Sequence, residues 1–415
     1  MKKISLILVL AMCLSLFPQV YAAPLTFETV ESAAERIDEL SDVTSDSQQT
    51  ALMSEDETYM LNVLVFALKK TASLNAVSDT LVSLGITDVT PLFTENGKAA
   101  PLGENGDIWY RAFTENEVYA ACETLAALDG VAYAEPEYVY HSDNYGEPTE
   151  VERITGWVYD ALLKRKSDFW WHTIFNHDYA PGKGTVIAVI DTGVDYTHED
   201  LTSNMWVNMA ELDGTPGVDD DGDGYIDDIY GVDVTAYGTK KAGNPMDDNG
   251  HGTHVAGIIG MSANGKGGIG LACGAKIMAI KAGQSTGTFA SSDIARAIRY
   301  AHMMGADVIN MSFGGTMQSY LIENALKDAF TDCVLVASAG NNGLPTTDAD
   351  PAYYPKSEDI YPAAYPYVIG VMATDSLGKL ASFSNWDYKP NANAEYEMTA
   401  PGVNVYSTLP GNRYA

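Results

Sequence analysis

Two short motifs carry residue types suited to proton transfer. His251 and His254 stand three residues apart, separated by Gly-Thr, and small or apolar residues follow them as in a glycine-rich helix. Upstream, the apolar β-branched run at residues 185–190 ends directly in Asp191, which is typical of a strand buried in a parallel sheet. Open α/β sheets carry their sites at the carboxyl ends of such strands. There, an imidazole can take up and return a proton while the carboxylate orients the ring.

The same residues have plainer structural interpretations. The histidines can be incidental to a helix start, and Asp191 can cap a helix after its strand. We expect His251 to be the base and His254 to be structural, because a second titrating group directed away from the site adds nothing to the chemistry. Asn341 follows Ala-Gly, whose small side chains leave room for a substrate carbonyl beside its amide donor, although an Asn before Asn-Gly also suits a turn.

The second half of the chain alternates predicted strands with predicted helices. After the Asp191 strand, the predicted strands are residues 276–281, 307–311, 333–338 and 367–372, and the predicted helices are about 291–304 and 319–330. This alternation predicts an α/β fold with a doubly wound, mainly parallel sheet that is covered by helices on both faces.

An upstream segment follows a different pattern. The predicted strands are residues 59–68, 108–113 and 131–140, and the predicted helices are 74–84 and 115–128. These elements fit a β-α-β-β-α-β order in which one strand is not assigned, and this order predicts a small α+β ferredoxin-like domain ahead of the parallel sheet.

Three blocks of the sequence resemble the subtilisin-like serine proteases. Residues 189–195 (Val-Ile-Asp-Thr-Gly-Val-Asp) and 251–257 (His-Gly-Thr-His-Val-Ala-Gly) are similar to that family's Asp and His motifs, and residues 336–343 resemble its oxyanion-hole segment. The resemblance runs from about residue 168 to the end. It implies an endopeptidase in which Asp191 orients the base His251 and Asn341 donates to the oxyanion.

The resemblance also extends to the substrate and the nucleophile. Ser312, Phe313 and Gly314 resemble the family's substrate-binding segment, where an extended peptide pairs like an added strand. The family's Gly-Thr-Ser-Met-Ala-like nucleophile motif does not occur in the sequence, and residues 407–414 resemble the stretch that leads into it. The serine is therefore expected about half a dozen residues beyond Ala415. We expect a truncated protease whose 415-residue chain is inactive and folds poorly.

The N-terminal residues resemble the start of a secreted precursor. Two lysines, an apolar run and small residues near position 22 are typical of a secretory signal peptide, which predicts an extracellular protein. By resemblance, the domain that follows is an inhibitory propeptide; an ordinary accessory domain is the alternative. The expected divisions are a signal peptide at 1–23, a propeptide at 24–145 with its ferredoxin-like core at about 57–141, a linker at 146–167 and a catalytic domain at 168–415.

An acidic stretch carries the spacing of a calcium loop. Carboxylates occupy positions 1, 3, 5 and 9 of an EF-hand-type pattern, with glycine at position 6 and Tyr230 rather than Glu at position 12. Asp228 can replace the missing last ligand, and a solvated acidic turn is the alternative. The candidate calcium ligands are Asp219, Asp221, Asp223, Tyr225, Asp227 and Asp228.

Composition limits the possible partners. The formal charge of −32 disfavours nucleic acid and anionic membranes, and a hydrophobic content of 46% is that of a globular protein. Cys122, Cys273 and Cys333 are too few for a disulfide framework, and no segment after the signal peptide is apolar enough to span a membrane. We therefore expect a monomer that acts on peptides or proteins and is held by its own propeptide.

Two other functions stay open at this stage. One is a non-catalytic, subtilase-like binding or inhibitory module, and the other is a calcium-dependent extracellular interaction protein. The presence of Asp191, His251 and Asn341 together favours the protease, because a binding module has no need of a matched base and oxyanion donor.

Overall fold

The computed structural model describes residues 53–54, 58–95, 97–142, 181–349, 354–375, 377–387 and 395–415. The predicted signal peptide, the linker at 146–167 and the first residues of the predicted catalytic domain lie outside these ranges. None of the helices in the described ranges is both long enough and apolar enough to cross a membrane.

The N-terminal unit is an antiparallel sheet covered by two helices. Its strands are β1 (Tyr59–Leu68), β2 (Ile86–Pro91), β3 (Thr94–Glu95), β4 (Lys98–Ala99), β5 (Pro101–Leu102), β6 (Asp107–Thr114) and β7 (Val131–Ser142), and its helices are α1 (Leu74–Ser83) and α2 (Val118–Ala126). The main strands lie in the order β7-β1-β6-β2, each antiparallel to its neighbour. This is the expected ferredoxin-like arrangement.

In the described ranges, the C-terminal unit contains eleven strands, seven of which form a parallel sheet. Its strands are β8 (Val186–Asp191), β9 (Gly231–Asp233), β10 (Lys276–Lys281), β11 (Thr288–Ala290), β12 (Val308–Met311), β13 (Phe313–Gly314), β14 (Val334–Ser338), β15 (Val368–Thr374), β16 (Met398–Pro401), β17 (Thr408–Leu409) and β18 (Arg413–Tyr414). Its α-helices are α3 (Met209–Leu212), α4 (His251–Gly260), α5 (Ser291–Met303) and α6 (Tyr320–Phe330), and short 3₁₀ helices cover Thr202–Asn204, Val234–Ala236 and Lys240–Gly243. The sheet order is β16-β15-β14-β12-β8-β10-β9, and all of its pairings are parallel.

Helices cover both faces of the parallel sheet. Successive side chains of a strand point to opposite faces, and β8 follows this rule, since Val189 packs in one core with Ala256 of α4. Its neighbours Ala188 and Ile190 belong to the other core, with Ile294 of α5 and helix α6. The predicted fold class is therefore confirmed. The predicted helices differ from the observed ones by only a few residues at their ends.

The short strands were not predicted. Strands β2, β9 and β16, and the hairpin of β3 and β4, carry mixed or exposed residues without a clear two-residue alternation. Hydrogen bonding to a neighbouring strand, rather than local apolar patterning, decides their conformation.

Two buried carboxylates of strand β7 join the two units. Ser319 Oγ and the Leu321 backbone N–H donate to Glu135 Oε1 over 2.7 Å and 3.2 Å at the start of α6. Ser291 Oγ and the Ser292 backbone N–H donate to Glu137 Oε1 over 2.9 Å and 2.8 Å at the start of α5. Each carboxylate satisfies N–H groups that have no partner within the helix, and its charge suits the positive end of the helix dipole.

The two carboxylates differ in their counter-charge. Arg111 Nε donates to Glu137 Oε2 over 2.6 Å. Burial opposes ionisation of Glu137, but the guanidinium and the Ser291 and Ser292 donors outweigh it and lower the pKa of Glu137. Burial raises the pKa of Glu135 to about 7 despite its own donors. The ionised form of Glu135 is thus costly in the folded chain, whereas that of Glu137 is favoured.

Glu135 is expected to make the stability of the full chain depend on pH. Its folded pKa of about 7 exceeds the ordinary value of 4.5, so its contribution is fully present below pH 4.5 and is lost as pH rises through 7. Between pH 5 and 8, urea unfolding should show the unmodified chain losing up to about 3 kcal/mol relative to Glu135→Gln.

The matched control for this measurement is Glu137→Gln. Because the pKa of Glu137 is lowered, its contribution is lost only as pH falls below the ordinary range of a carboxyl group. The difference between this variant and the unmodified chain should stay constant from pH 5 to 8. A constant difference for Glu135→Gln as well would contradict the prediction.

Candidate active site

The centre of the site is a buried carboxylate–imidazole pair. Asp191 ends strand β8 and has no exposed surface, and His251 begins helix α4 and is 5% exposed. His251 Nδ1 lies 2.7 Å from Asp191 Oδ1. The Thr192 backbone N–H donates to the same oxygen over 2.7 Å. Asp191 Oδ2 is buried and has no hydrogen-bond partner among the described residues. The pair can hold one tautomer of the ring and stabilise its protonated form.

A glycine allows the helix to approach the strand this closely. A Cβ atom on Gly252 would lie 2.0 Å from the Gly193 carbonyl oxygen and 3.1 Å from Asp191 Oδ1. The Gly252 N–H instead donates to Thr192 Oγ1 over 3.0 Å. Any larger side chain at this position would push the first turn of α4 away from Asp191.

Asp247 holds the loop before the helix and connects it to the strand. Its Oδ1 accepts from Thr192 Oγ1 over 2.9 Å and from the Gly250 N–H over 2.8 Å. Its Oδ2 accepts from the Thr253 N–H over 2.9 Å and from Thr253 Oγ1 over 2.6 Å. Sequence analysis assigned no role to Asp247. An Asp whose side chain accepts from backbone N–H groups two and three residues later is a local turn pattern, and that signal was available.

Lys281 is a second group that sequence analysis missed. Its ammonium group is nearly buried beside the end of β8 and donates to the carbonyl oxygens of Thr192 and Gly283 over 2.9 Å and 3.0 Å. It also pairs with Asp248 Oδ1 at 2.6 Å. One cation therefore connects the ends of two neighbouring strands to the loop that precedes His251.

His254 takes no part in this pair. Burial, followed by the nearby charge of His251, lowers the pKa of His254 to about 4, so its ring is neutral at pH 7. Its carbonyl oxygen accepts from Ser407 Oγ over 2.6 Å. These contacts agree with the structural role expected for it.

Asn341 lies at the same edge of the parallel sheet as Asp191. It follows β14, which is separated from β8 by β12 alone. Asn385 supports this loop from behind: its backbone N–H donates to the Gly340 carbonyl over 3.0 Å, and its Oδ1 accepts from the Asn342 N–H over 2.9 Å. Asn385 has no exposed surface and was not anticipated from the sequence.

The predicted substrate-binding segment pairs with the chain itself. Phe313 and Gly314 form β13 and lie antiparallel to β7, opposite Ser142 and His141, while Ser312 Oγ accepts from Asn310 Nδ2. On its other side, the end of β7 pairs with β11.

Tyr140 anchors this strand in the C-terminal unit. It has no exposed surface, and its hydroxyl donates to the Met317 carbonyl over 2.7 Å. A Cβ atom on Gly315 would lie 2.7 Å from the tyrosine ring, so the space for the ring depends on this glycine. The end of β7 thus lies as a central strand between two segments of the C-terminal unit.

The last described residues pack on helix α4. Thr408 Oγ1 donates to the Thr253 carbonyl over 2.7 Å, and a Cβ atom on Gly257 would lie 2.2 Å from that hydroxyl oxygen. Ala415 exchanges backbone hydrogen bonds with Ser407 and is almost fully buried.

Several carboxylates of the acidic loop accept hydrogen bonds from the loop's own backbone. Asp219 accepts from the N–H groups of Gly222 and Gly224 over 2.6 Å and 3.0 Å. Asp223 Oδ1 accepts from the Tyr225 N–H over 2.8 Å, whereas Asp223 Oδ2 is buried without a hydrogen-bond partner among the described residues. Such an oxygen requires a cation or a proton.

Asp227 and Asp228 lie behind the loop. Asp227 is 1% exposed and accepts from the Gly217 N–H over 2.7 Å. Asp228 is fully buried and accepts from the Tyr300 hydroxyl. Burial first, and then repulsion from neighbouring carboxylates, raises the pKa of both Asp223 and Asp228.

Glu211 joins the loop from outside the predicted pattern. Carboxylate oxygens of Glu211, Asp219 and Asp221 lie within 4.8 Å of one another, a spacing suited to a shared cation. Asn208 caps helix α3 and also donates to Asp221 Oδ2 over 2.9 Å. An Asn followed three residues later by Glu is a helix-start signal, which gives no indication that the Glu turns toward a loop eight residues away.

Comparison with known proteins gives a family match and several relatives. Residues 182–415 match the model of the subtilase family. The chain is 38% identical over 288 residues to the "Thermophilic serine proteinase" of Bacillus sp. (strain AK1), a match that covers 69% of this chain and 58% of that protein.

Two further relatives cover a smaller share of the chain. Identity is 36% over 234 residues to "Subtilisin DY" of Bacillus licheniformis, covering 56% of this chain and 70% of that protein. The chain is also 36% identical over 236 residues to the "Major intracellular serine protease" of Bacillus subtilis (strain 168), a match that covers 56% of this chain and 62% of that protein. The chain thus matches little more than half the length of the thermophilic proteinase.

Asp247 is expected to be essential for the stability of the site. Asp247→Asn replaces one acceptor oxygen by an NH₂ group. This group would face N–H and hydroxyl donors, from which it cannot accept a hydrogen bond. Urea unfolding should show a loss of about 2–4 kcal/mol.

The neighbouring Asp248→Asn is the matched control. The Asp248 side chain is 55% exposed, Asn keeps an oxygen that can accept from Lys281, and Lys281 also donates to two carbonyl oxygens, so less than about 1 kcal/mol should be lost. Equal losses for the two variants would show that the Asp247 hydrogen bonds do not hold the loop.

Proposed function

The chain belongs to the subtilase family, and from this premise we propose that it is a secreted, calcium-stabilised serine endopeptidase made with its own inhibitory propeptide. The observation that carries the proposal is the 2.7 Å contact of His251 Nδ1 with Asp191 Oδ1 at the carboxyl edge of the parallel sheet. His251 then takes the proton of an attacking hydroxyl and returns it to the leaving amine, and Asp191 stabilises the imidazolium in between.

Asn341 supplies the oxyanion donor in this proposal. Its loop is fixed by the buried Asn385, so that an amide at this position needs little reorganisation when charge develops on the substrate carbonyl. Ser312, Phe313 and Gly314 bind the substrate backbone as an antiparallel strand. The support for this role is that β13 already pairs in that manner with β7.

We place the nucleophile in a Gly-Thr-Ser-like segment that follows Ala415 in the full-length protein. The sequence holds no such motif, and residues 407–414 resemble the family's approach to it. The contact of Thr408 with the Thr253 carbonyl supports this placement, because it brings that part of the chain onto the helix that carries His251.

The N-terminal unit acts as the propeptide. The end of β7 lies between β11 and β13, where an extended substrate would pair, and Glu135 and Glu137 fasten the unit to α6 and α5. While it stays in place, this strand excludes substrate. The predicted signal peptide supports secretion, and we propose that the mature enzyme acts as a monomer on peptides or proteins.

The acidic loop holds calcium in this proposal. The atoms available as ligands are oxygens, which calcium prefers. A bound cation would also be a partner for the buried Asp223 Oδ2, which has no hydrogen-bond partner among the described residues. The oxygens of Asp219, Asp221, Asp223, Asp227 and the Tyr225 backbone follow the loop pattern. Glu211 and Asp228 add buried carboxylates. The ion would neutralise carboxylates that otherwise repel one another.

The activity test compares the 415-residue chain with a chain that continues through a Gly-Thr-Ser-containing segment. Only the longer chain should cleave a quenched peptide and be labelled by a fluorophosphonate. In the longer chain, Asp191→Asn should lower kcat by about 10⁴-fold, the loss typical of triad aspartates in serine proteases.

Asp332→Asn is the control, because this side chain is exposed and pairs only with surface groups. It should leave kcat unchanged. A longer chain that binds peptides without cleaving them would instead support a non-catalytic module. Cleavage and labelling by the 415-residue chain itself would overturn the placement of the nucleophile.

Calcium removal provides a separate test. A chelator should lower the melting temperature of the full chain by about 5 °C or more. Asp223→Asn should reduce this difference in melting temperature. In calcium, the variant loses a ligand and should melt at a lower temperature. In chelator, it no longer buries a carboxylate that neighbouring carboxylates repel, and should melt at a higher temperature. The exposed Asp213→Asn is the control and should keep the full response. A melting temperature that does not respond to chelator would exclude a stabilising ion.

A further inference from the structure

A small hairpin of the N-terminal unit reaches across to the acidic loop. Strands β3 and β4 with their flanking residues, 92–95 and 97–102, form what we call the hairpin arm. The arm is attached to its own sheet by the Leu92 N–H, which donates to the Trp109 carbonyl over 2.9 Å. The Ala100 N–H closes the arm on the Phe93 carbonyl over 2.8 Å. The arm is separate from strand β7, which makes the contacts of Glu135, Glu137 and Tyr140 with the C-terminal unit.

Two arginines of helix α5 hold the arm. Arg296 Nε donates to the Leu92 carbonyl over 3.1 Å. Arg299 donates to the Pro101 carbonyl over 2.9 Å and pairs with Glu95, and its guanidinium lies 5.2 Å from the centre of the Phe93 ring. The arm is thus fixed to the C-terminal unit along its length.

The tip of the arm contacts the acidic loop. Thr94 Oγ1 lies 2.6 Å from the Tyr237 hydroxyl. A Cβ atom on Gly224 would lie 3.3 Å from the same threonine oxygen, so the arm runs directly over this glycine. The rings of Tyr237 and Tyr225 meet edge to face at 5.5 Å. Thr94, Tyr237 and the Gly224–Tyr225 turn therefore form one packed group.

Asp223 faces the same junction. The cavity lined by the arm, Tyr225, Tyr300 and Asp223 has a volume of only about 20 Å³, so these groups pack closely against one another. Asp223 also carries the buried oxygen that has no hydrogen-bond partner among the described residues. The arm therefore covers the part of the loop where a cation is most needed.

We propose that docking of the hairpin arm and calcium binding in the acidic loop strengthen each other. The loop contains two glycines at left-handed φ values of 77° and 101°, and its carboxylates repel, so ordering it costs free energy. The arm holds the Gly224–Tyr225 turn in the conformation in which Asp219 and Asp223 accept from its N–H groups. Calcium then binds to a loop that is already ordered.

Linkage makes the effect reciprocal. If the docked arm raises the affinity for calcium, bound calcium raises the affinity for the arm by the same factor. The calcium loop would then control how firmly the N-terminal unit is held. This inference rests on the proposed calcium site and adds to it a partner within the same chain.

The test measures calcium binding to the full chain by calorimetry after the metal has been stripped. Thr94→Val with Glu95→Gln removes the contact of the arm with the Tyr237 hydroxyl and its ion pair with Arg299, and changes no residue of the loop. The calcium Kd should weaken by about fivefold, at the lower end of typical couplings. The binding heat lost in Asp223→Asn identifies the loop site among any others.

The matched control is Thr90→Val with Glu104→Gln, which changes two exposed residues of the same unit outside the packed group. Its Kd should match that of the unmodified chain. Hydrogen exchange measures the effect of calcium on the arm: the Leu92 and Ala100 amides should exchange more slowly in calcium than in chelator.

The outcomes separate this inference from the proposed calcium site. Calcium binding of equal affinity in all of these chains, with arm exchange unaffected by calcium, would overturn the coupling and leave the calcium site intact. An unmodified chain that binds no calcium would overturn both. A weaker Kd in the arm variant alone would establish the coupling.

Discussion

The rest of this structure depends on one buried hydrogen bond, between His251 Nδ1 and Asp191 Oδ1. A buried carboxylate is costly unless it has charged or polar partners, so its position is tolerated only where the fold supplies them. Strand β8 delivers Asp191 to the carboxyl edge of the parallel sheet, and Gly252 lets helix α4 approach closely enough to provide the ring. Asp247 then connects the strand to the start of the helix through Thr192 and Thr253. The pair can serve as base and orienting acid because these groups leave it little freedom to separate.

The same use of buried carboxylates recurs across this strongly acidic chain. Glu135 and Glu137 satisfy the N-terminal N–H groups of two helices and thereby join the two units. Glu211 holds backbone N–H groups of the acidic loop, and Asp247 holds those before His251. In each case the donors are backbone amides and hydroxyls more often than cations, which is consistent with only 24 lysines and arginines against 56 acidic residues. The acidic loop differs, because its carboxylates lie close together and Asp223 Oδ2 has no hydrogen-bond partner among the described residues, an arrangement that a bound cation would complete.

The two units also share their core. Helices α5 and α6 pack between the parallel sheet and one face of the antiparallel sheet, and residues of both sheets belong to one apolar cluster. The other face of the antiparallel sheet packs on α1 and α2. A unit held by this core, by two helix caps and by a strand between β11 and β13 would be removed only at a large cost in free energy. If this unit is the inhibitor proposed above, contacts that change with conditions would favour its release, as the pH-sensitive Glu135 and the proposed calcium-linked arm would do.

Local patterns in the sequence determined the main elements, the α/β class and the candidate pair of Asp191 and His251. Apolar periodicity is a property of neighbouring residues, and the motif glycines mark where backbones must approach closely. The sequence also indicated Asn341 and the acidic loop, because a donor after Ala-Gly and alternating carboxylates are short-range signals. Only the tertiary structure decided which distant groups complete these sites. Ser319 lies 184 residues from Glu135, and Tyr237 lies 143 residues from Thr94. Lys281, Glu211 and Asn385 likewise take their roles from strands and loops that meet only after folding. Such contacts leave no local pattern, because they depend on how finished elements pack against one another.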